Sequence, residues 1–202
     1  QIAAQITHAH PNAIGSAFAT ARLLRVGLEQ GSLHESHIKD VIAELEERFD
    51  APDVVDTLKA CLVELKRPNL EWLDDAQLPL GDGGWRSPST LGLALIATLK
   101  WGDDIPTAIE KAARISGDSD AVAALTGMFL GGTKGVSQLP NNWLSVLPQR
   151  EEIRTKARKL QNILSKEILS IADQIRSLQS RGAHFSTANL QTNTVRLSVD
   201  AQ

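Results

Sequence analysis

The chain contains one cysteine, Cys61, and no tyrosine. A single thiol excludes an internal disulfide and a cysteine-rich zinc site. Cys61 falls in the series Leu58, Cys61, Leu62, Leu65, the spacing of one helix side, and reads as a small buried hydrophobe. Aromatic residues make up only 4% of the chain. Alanine and leucine are abundant instead, a composition suited to helices rather than strands. Positive charge is not in excess: the formal net charge is -3. No basic face follows, and duplex nucleic acid is not an expected partner. Long apolar runs are missing too. The longest, around Leu91 to Leu99, has the length of a core helix rather than a membrane span. No signal-peptide pattern is read at Gln1. A reducing, cytoplasmic-type compartment is the resulting expectation.

What remains is ordinary globular material. The 202 residues are 42% hydrophobic and 22% charged, enough for one sizeable core. Ile14, Ala17, Phe18, Ala21, Leu24 and Leu28 recur at helical spacing, and Gly31 is a plausible stop. Ser32 and Glu35 have the spacing of a capping box for a helix carrying Ile38, Val41, Ile42, Leu45 and Phe49. After the turn at 50–53 comes a third helix with Val54, Leu58, Cys61 and Leu65. Residues 67–89 read as a long loop ending in Gly81-Asp82-Gly83-Gly84-Trp85. The helix expected from Ser89 to Lys100 is apolar nearly all round, so it should be central and buried. Pro106 opens the next helix. A further one follows Asp120, rich in small residues, with Ala124, Gly127 and Gly131 on or near one face. That face predicts close approach to a neighbour. A last helix is expected from about Gln149 to Arg181. The expected organisation is one helical domain over 1–180 and a polar tail over 181–202, with a weak strand-like alternation from Thr194 to Val199.

Asp118-Ser119-Asp120 is the most informative segment. In mid-helix, carboxylates two apart point to different faces. At a loop-to-helix junction both can converge on one cation, and hard oxygen ligands suit Mg²⁺, Ca²⁺ or Mn²⁺. Ordinary N-capping by Asp118 or Ser119 explains the same residues. Spacing alone favours the cap.

The neighbouring segments shift that balance. Gly117-Asp118-Ser119-Asp120 followed by an Ala/Gly helix resembles the second metal motif of ADP-ribosylglycohydrolases, the dinitrogenase-reductase-activating glycohydrolase type. Thr7-His8-Ala9-His10-Pro11 resembles that family's segment entering a long helix. Gly83-Gly84-Trp85 resembles a Gly-Trp stretch before a buried helix. Leu139-Pro140, Trp143 and Gln149-Arg150-Glu151 resemble its closing segment. The four motifs stand in the family's order and cover roughly residues 6 to 165.

The resemblance implies an all-α fold, a compact orthogonal helical bundle, of which this chain matches the C-terminal part. It implies a two-metal site, usually Mg²⁺ (or Mn²⁺), that binds the ribose diol of an ADP-ribosyl group and helps water cleave its glycosidic bond. Asp118 and Asp120 match metal-ligand positions, and His8 matches a histidine beside the ADP-ribose cleft. Trp85 and Ser119 join His8 as candidate substrate-binding residues; no catalytic acid or base is assigned. The implied partner is an ADP-ribosylated protein or a related small molecule.

Two departures narrow the reading. The family usually has Ser or Thr after the second Asp, its hydroxyl also binding metal; here the residue is Ala121. The family's N-terminal half, with its own acidic metal motif, is not matched. Asp103-Asp104 reads as a helix cap and Asp74-Asp75 as a solvated loop pair, so neither replaces it. The chain is therefore expected to supply half a site, completed by a companion segment or a homo-oligomer. The alternative is a non-catalytic relative that binds a partner or ADP-ribose-like nucleotide without turnover. A lone half-domain would expose much of the Leu91 to Leu99 helix, so a companion segment, a dimer or a rearranged core is expected. Trp85 either lines a cleft or pins its loop to the core, with a slight preference for the second. Trp72, Trp101 and Trp143 read as packing residues, and His34, His37 and His184 as exposed.

Overall fold

The computed structural model describes residues 2–160 and residue 162. It divides into two compact units, Gln1–Trp143 and Leu144–Gln202. Every regular element described is helical. In the first unit these are α1 (Ile2–Gln5), α2 (Pro11–Gln30), α3 (Glu35–Arg48), α4 (Pro52–Leu65), α5 (Ser87–Trp101), α6 (Ile105–Ala113) and α7 (Ser119–Lys134). Short 3₁₀ turns occupy Leu73–Asp75 and Val136–Gln138, and α8 (Asn141–Val146) follows. The described part of the second unit carries a helix over 150–160, on which Ile153 and Leu160 are exposed. The boundary expected near 180, the end of the last helix, the strand-like stretch near Thr194 and His184 lie outside the described residues.

Local chemistry sets most helix limits. His10 caps α2 through its Nδ1, which accepts the Asn12 backbone N–H at 3.2 Å, and Pro11 fills the first helical position. Gly31 ends the helix in the left-handed region at φ 69°, which a residue without Cβ adopts at little cost. The box expected from Ser32 and Glu35 is not the one used. His34 is the N-cap of α3, and His37 Nδ1 accepts the His34 backbone N–H at 3.1 Å. An imidazole acceptor three residues on does the work expected of a carboxylate, two positions later. Asp104 caps α6, its carboxylate accepting the Thr107 hydroxyl at 2.6 Å, as the sequence suggests.

Helix α5 is the central strut, packed by α2, α4, α6 and α7. Leu91 through Thr98 are all buried. The helix is central and buried, as its nearly all-round apolar composition predicts, and the surrounding helices of this chain cover it by themselves. Cys61 is fully buried on the inner side of α4, and burial pushes its thiol up to about 12, so it stays protonated. The small-residue face of α7 also differs from expectation. Val122, Thr126, Phe129 and Leu130 form its buried side. A Cβ on Gly131 would meet nothing within 4 Å, and one on Gly127 only Ile109 at 3.9 Å. The tight contact is at Gly132, where a Cβ would lie 2.7 Å from Leu24 Cδ1. Spacing located small residues on the helix, not the neighbour they admit.

Trp72 is not a packing residue: it is half exposed, with Lys111 Nζ 4.9 Å from its ring centre and 4.8 Å from that of Trp101.

Candidate functional site

The first turn of α7 is built against the loop before α5. Asp118 donates its backbone N–H to Gly83 O at 2.9 Å. Gly117 packs so closely on Gly83 that a Cβ on Gly117 would sit 2.0 Å from that same oxygen. A Cβ on Gly84 would lie 2.8 Å from Val122 and 3.8 Å from Asp118 Cβ. Gly83 and Gly84 themselves take φ +62° and +92°, conformations that exclude most side chains. Two glycine-containing segments, 34 positions apart between Gly83 and Gly117, thus interlock.

Two carboxylates hold this junction. Asp82 Oδ1 accepts the Gly84 N–H at 3.2 Å and the Ser89 hydroxyl, and Asp82 Oδ2 lies 3.6 Å from Arg86 Nε. Asp74 Oδ1 accepts the Ser116 N–H at 3.0 Å and the Ser116 hydroxyl at 3.1 Å. Asp74, expected to be a solvated loop residue, is exposed yet anchors the loop two residues before Asp118. A contact spanning 42 positions leaves no local signature.

The Asp118 and Asp120 carboxyl groups are hydrogen-bonded to each other at the start of α7. Contact with Asp120 raises the Asp118 carboxyl above the usual carboxylate range, and partial burial adds to this. Asp120 is lowered, by the hydrogen bond from Asp118 first and then by the Asp120 and Ala121 backbone N–H groups. Asp118 is the N-cap residue by position but makes no side-chain cap bond. Two carboxylates this close repel when both are charged, and a hard divalent cation between them would relieve that repulsion. The pair fits two ligands of such an ion. Among the described residues no group of three or more His, Cys, Asp or Glu side chains converges on one point, so the pair is not a complete metal centre. Ser119 lies between the two, half-buried, and Ala121 presents a methyl group.

A groove of about 1160 Å³ reaches Trp85 and Arg86 at the end of the Gly83-Gly84 loop. His8 and Trp85 both line it, along with α2 and residues Leu125 and Met128 of α7. Trp85 is 73% exposed; it does not pin its loop to the core. His8 Nδ1 lies 2.8 Å from Thr7 Oγ1. Asp118, Ser119 and Asp120 are not among the lining residues. Trp85 directly follows the glycines that touch the Asp118 junction, so the loop connects groove and carboxylate pair. Asn12, Ser16 and Asp53 also line the groove, and none of the three belongs to a motif legible in the sequence. The four-residue step from Asn12 to Ser16 was the available signal.

The model of the family described as ADP-ribosylglycohydrolase matches residues 1–173. The chain belongs to the ADP-ribosylglycohydrolase family. The matched range contains every motif that carried the resemblance. ADP-ribosylhydrolase ARH3 of Homo sapiens is 25% identical over 189 residues, covering 82% of this chain and 52% of the human protein. ADP-ribosylarginine hydrolase Tri1 of Serratia proteamaculans (strain 568) is 41% identical over 58 residues, 29% of this chain and 16% of the relative. The chain thus spans about half the length of the human relative. No solved structure matches it.

Proposed function

We propose that this chain contributes part of the site of an ADP-ribosyl hydrolase, acting on an ADP-ribosylated protein or a related small molecule. Asp118 and Asp120 would hold a divalent cation, Mg²⁺ or Mn²⁺, at one side of the Gly84-Trp85 loop. The cation, when bound, orients the ribose hydroxyls and stabilises developing charge as the glycosidic bond breaks. This chain's residues fix the geometry. Asp74 and Gly83 hold the loop that carries Asp118, and the first turn of α7 carries Asp120. His8, Trp85 and Ser119 are the proposed substrate contacts, Trp85 offering an exposed ring in the groove. The remaining ligands would come from a companion segment or a second copy of the chain. The observation that carries the reading is the touching carboxylate pair, locked by two glycine loops, inside a family-matched segment.

The test uses the complete assembly. Asp118→Ala and Asp120→Ala should each lower release of ADP-ribose from a modified protein at least about a hundredfold, the upper range for disturbed metal-site residues. Unchanged release would refute the assignment. Ala121 favours a second reading, a relative that binds ADP-ribose-like nucleotide without turnover. Calorimetry with Mg²⁺ and ADP-ribose separates the two, because binding without any hydrolysis by the assembly supports the second. No helix among the described residues is long and apolar enough to cross a membrane. A cytoplasmic-type location stays part of the proposal, resting on the single, buried thiol.

A further inference from the structure

The connector between α6 and α7, which delivers Asp118, is cross-linked twice to the segment before the Gly83 loop. Asp74 supplies one link, through the Ser116 N–H at 3.0 Å and the Ser116 hydroxyl at 3.1 Å. Lys111 supplies the other. Its Nζ donates to Glu71 O at 2.5 Å and lies 4.9 Å from the Trp72 ring centre and 4.8 Å from that of Trp101. An ammonium has three N–H donors and no acceptor. One donor goes to the carbonyl, and the charge faces two indoles, the ring that attracts a cation best. Lys111 is half-buried in the last turn of α6, where a cation also suits the helix C-terminus. That role needs neither an indole nor the carbonyl of another segment.

The spacing makes the two links a brace. Glu71 and Asp74 are three positions apart, and Lys111 and Ser116 five. Two short segments joined at both ends have a fixed orientation, whereas a single link is a hinge. The 71–74 side is itself anchored, because Leu70 and Leu73 are each 2% exposed in the core. The 111–116 side runs on within two residues to Asp118, whose N–H reaches Gly83 O at 2.9 Å. Without Lys111, the connector is free to turn about the Asp74 link, and Asp118 turns with it.

We infer that Lys111, held between Trp72 and Trp101, is a positioning residue for the backbone that carries Asp118. It acts through Glu71 and Asp74 on Ser116, and through Ser116 on the direction in which Asp118 presents its carboxylate. It thereby sets how well the Asp118 and Asp120 pair receives a divalent cation. The effect on a cation rests on the proposed function, but the effect on the backbone does not.

Amide hydrogen exchange on the metal-free full chain reads the backbone directly. Lys111→Met keeps the stem and removes the charge and the donors. The Ser116 and Asp118 N–H groups should then exchange at least about tenfold faster, while that of Leu95, in the buried α5, exchanges as in the parent. Lys111→Arg keeps the charge and stacks on indoles, so it should restore slow exchange. Mn²⁺ is titrated into the same three chains by calorimetry. Lys111→Met should bind it about tenfold more weakly than the parent, the lower range for groups that orient metal ligands from outside, and Lys111→Arg as the parent does. Unchanged exchange at Ser116 and Asp118, equal acceleration at Leu95, or an arginine variant as fast as the methionine one overturns the brace. Faster exchange with parental Mn²⁺ affinity in Lys111→Met overturns its role toward the cation. A parent chain that binds no Mn²⁺ overturns the cation reading of Asp118 and Asp120, with the exchange result still deciding the brace.

Discussion

At Asp118 and Asp120 two like charges touch on the surface, and their effects on stability have opposite signs. The Asp118 carboxyl is raised, so its protonated form suits the folded state. Its contribution is full below the ordinary carboxylate value and is lost as pH rises through the raised value. Asp120 is lowered, so its contribution is present above the ordinary value and is lost as pH falls through the depressed one. Above the raised value both groups are charged and the two carboxylates repel. Asp118→Asn keeps a donor toward Asp120 and removes the repulsion. In chelator, its melting temperature should exceed the parent's at neutral pH and match it near the bottom of the carboxylate range. Added Mg²⁺ should raise the parent's melting temperature more than the variant's. A variant no more stable than the parent at neutral pH in chelator would show that the two carboxylates do not repel.

The elements on either side of this pair meet through backbone rather than side chains. Gly117 has no room for a methyl group, because Gly83 O, C and Cα all lie within 2.7 Å of where its Cβ would stand. The obstacle is main chain on both sides, so one loop has to move. Gly117→Ala should cost about 1–3 kcal/mol, the usual penalty for overpacking, seen as a lower urea midpoint. It should also break the Asp118 N–H bond to Gly83 O and reduce cation affinity. A wild-type midpoint would mean the loops slide past each other freely. This interlock was half legible in advance. The sequence shows Gly83-Gly84 and Gly117-Asp118 as separate motifs, because each has a local turn signature. Their contact is long-range, like that of Asp74 with Ser116, and period or propensity carries no record of it. Elements set by local rules were read closely. The span of α5 and the cap at Asp104 agree within a residue or two, and Gly31 stops α2 as expected. His34 was missed as a cap because histidine rarely serves as one.

Across the whole molecule, burial and exposure fall in different places from those a half-domain suggests. The apolar helix α5 is enclosed by its own chain, so its composition reported a real core. The uncovered apolar surface is on α2 and α7 instead. Leu28 is 65% exposed and Met128 40%, and Ala17, Ala21 and Ala124 are exposed beside them. The helical spacing of α2 showed these residues as one apolar stripe, but a stripe does not say which part meets the core. The groove was illegible for a related reason: its lining comes from α1, α2, α4, the Trp85 loop, the start of α5 and α7, and only folding brings these together. Family membership and the all-α architecture were legible because short motifs and helical periods survive in one dimension. An uncovered apolar face of this kind is sticky in water. If a companion segment or second copy covers it, the chain alone should associate with itself as concentration rises, measured by sedimentation velocity. Leu28→Glu and Met128→Glu together place two charges in that face, and they should shift the chain to monomer without lowering its melting temperature. A parent chain that stays monomeric at every concentration would leave the α2–α7 face as open surface and remove the case for a partner there.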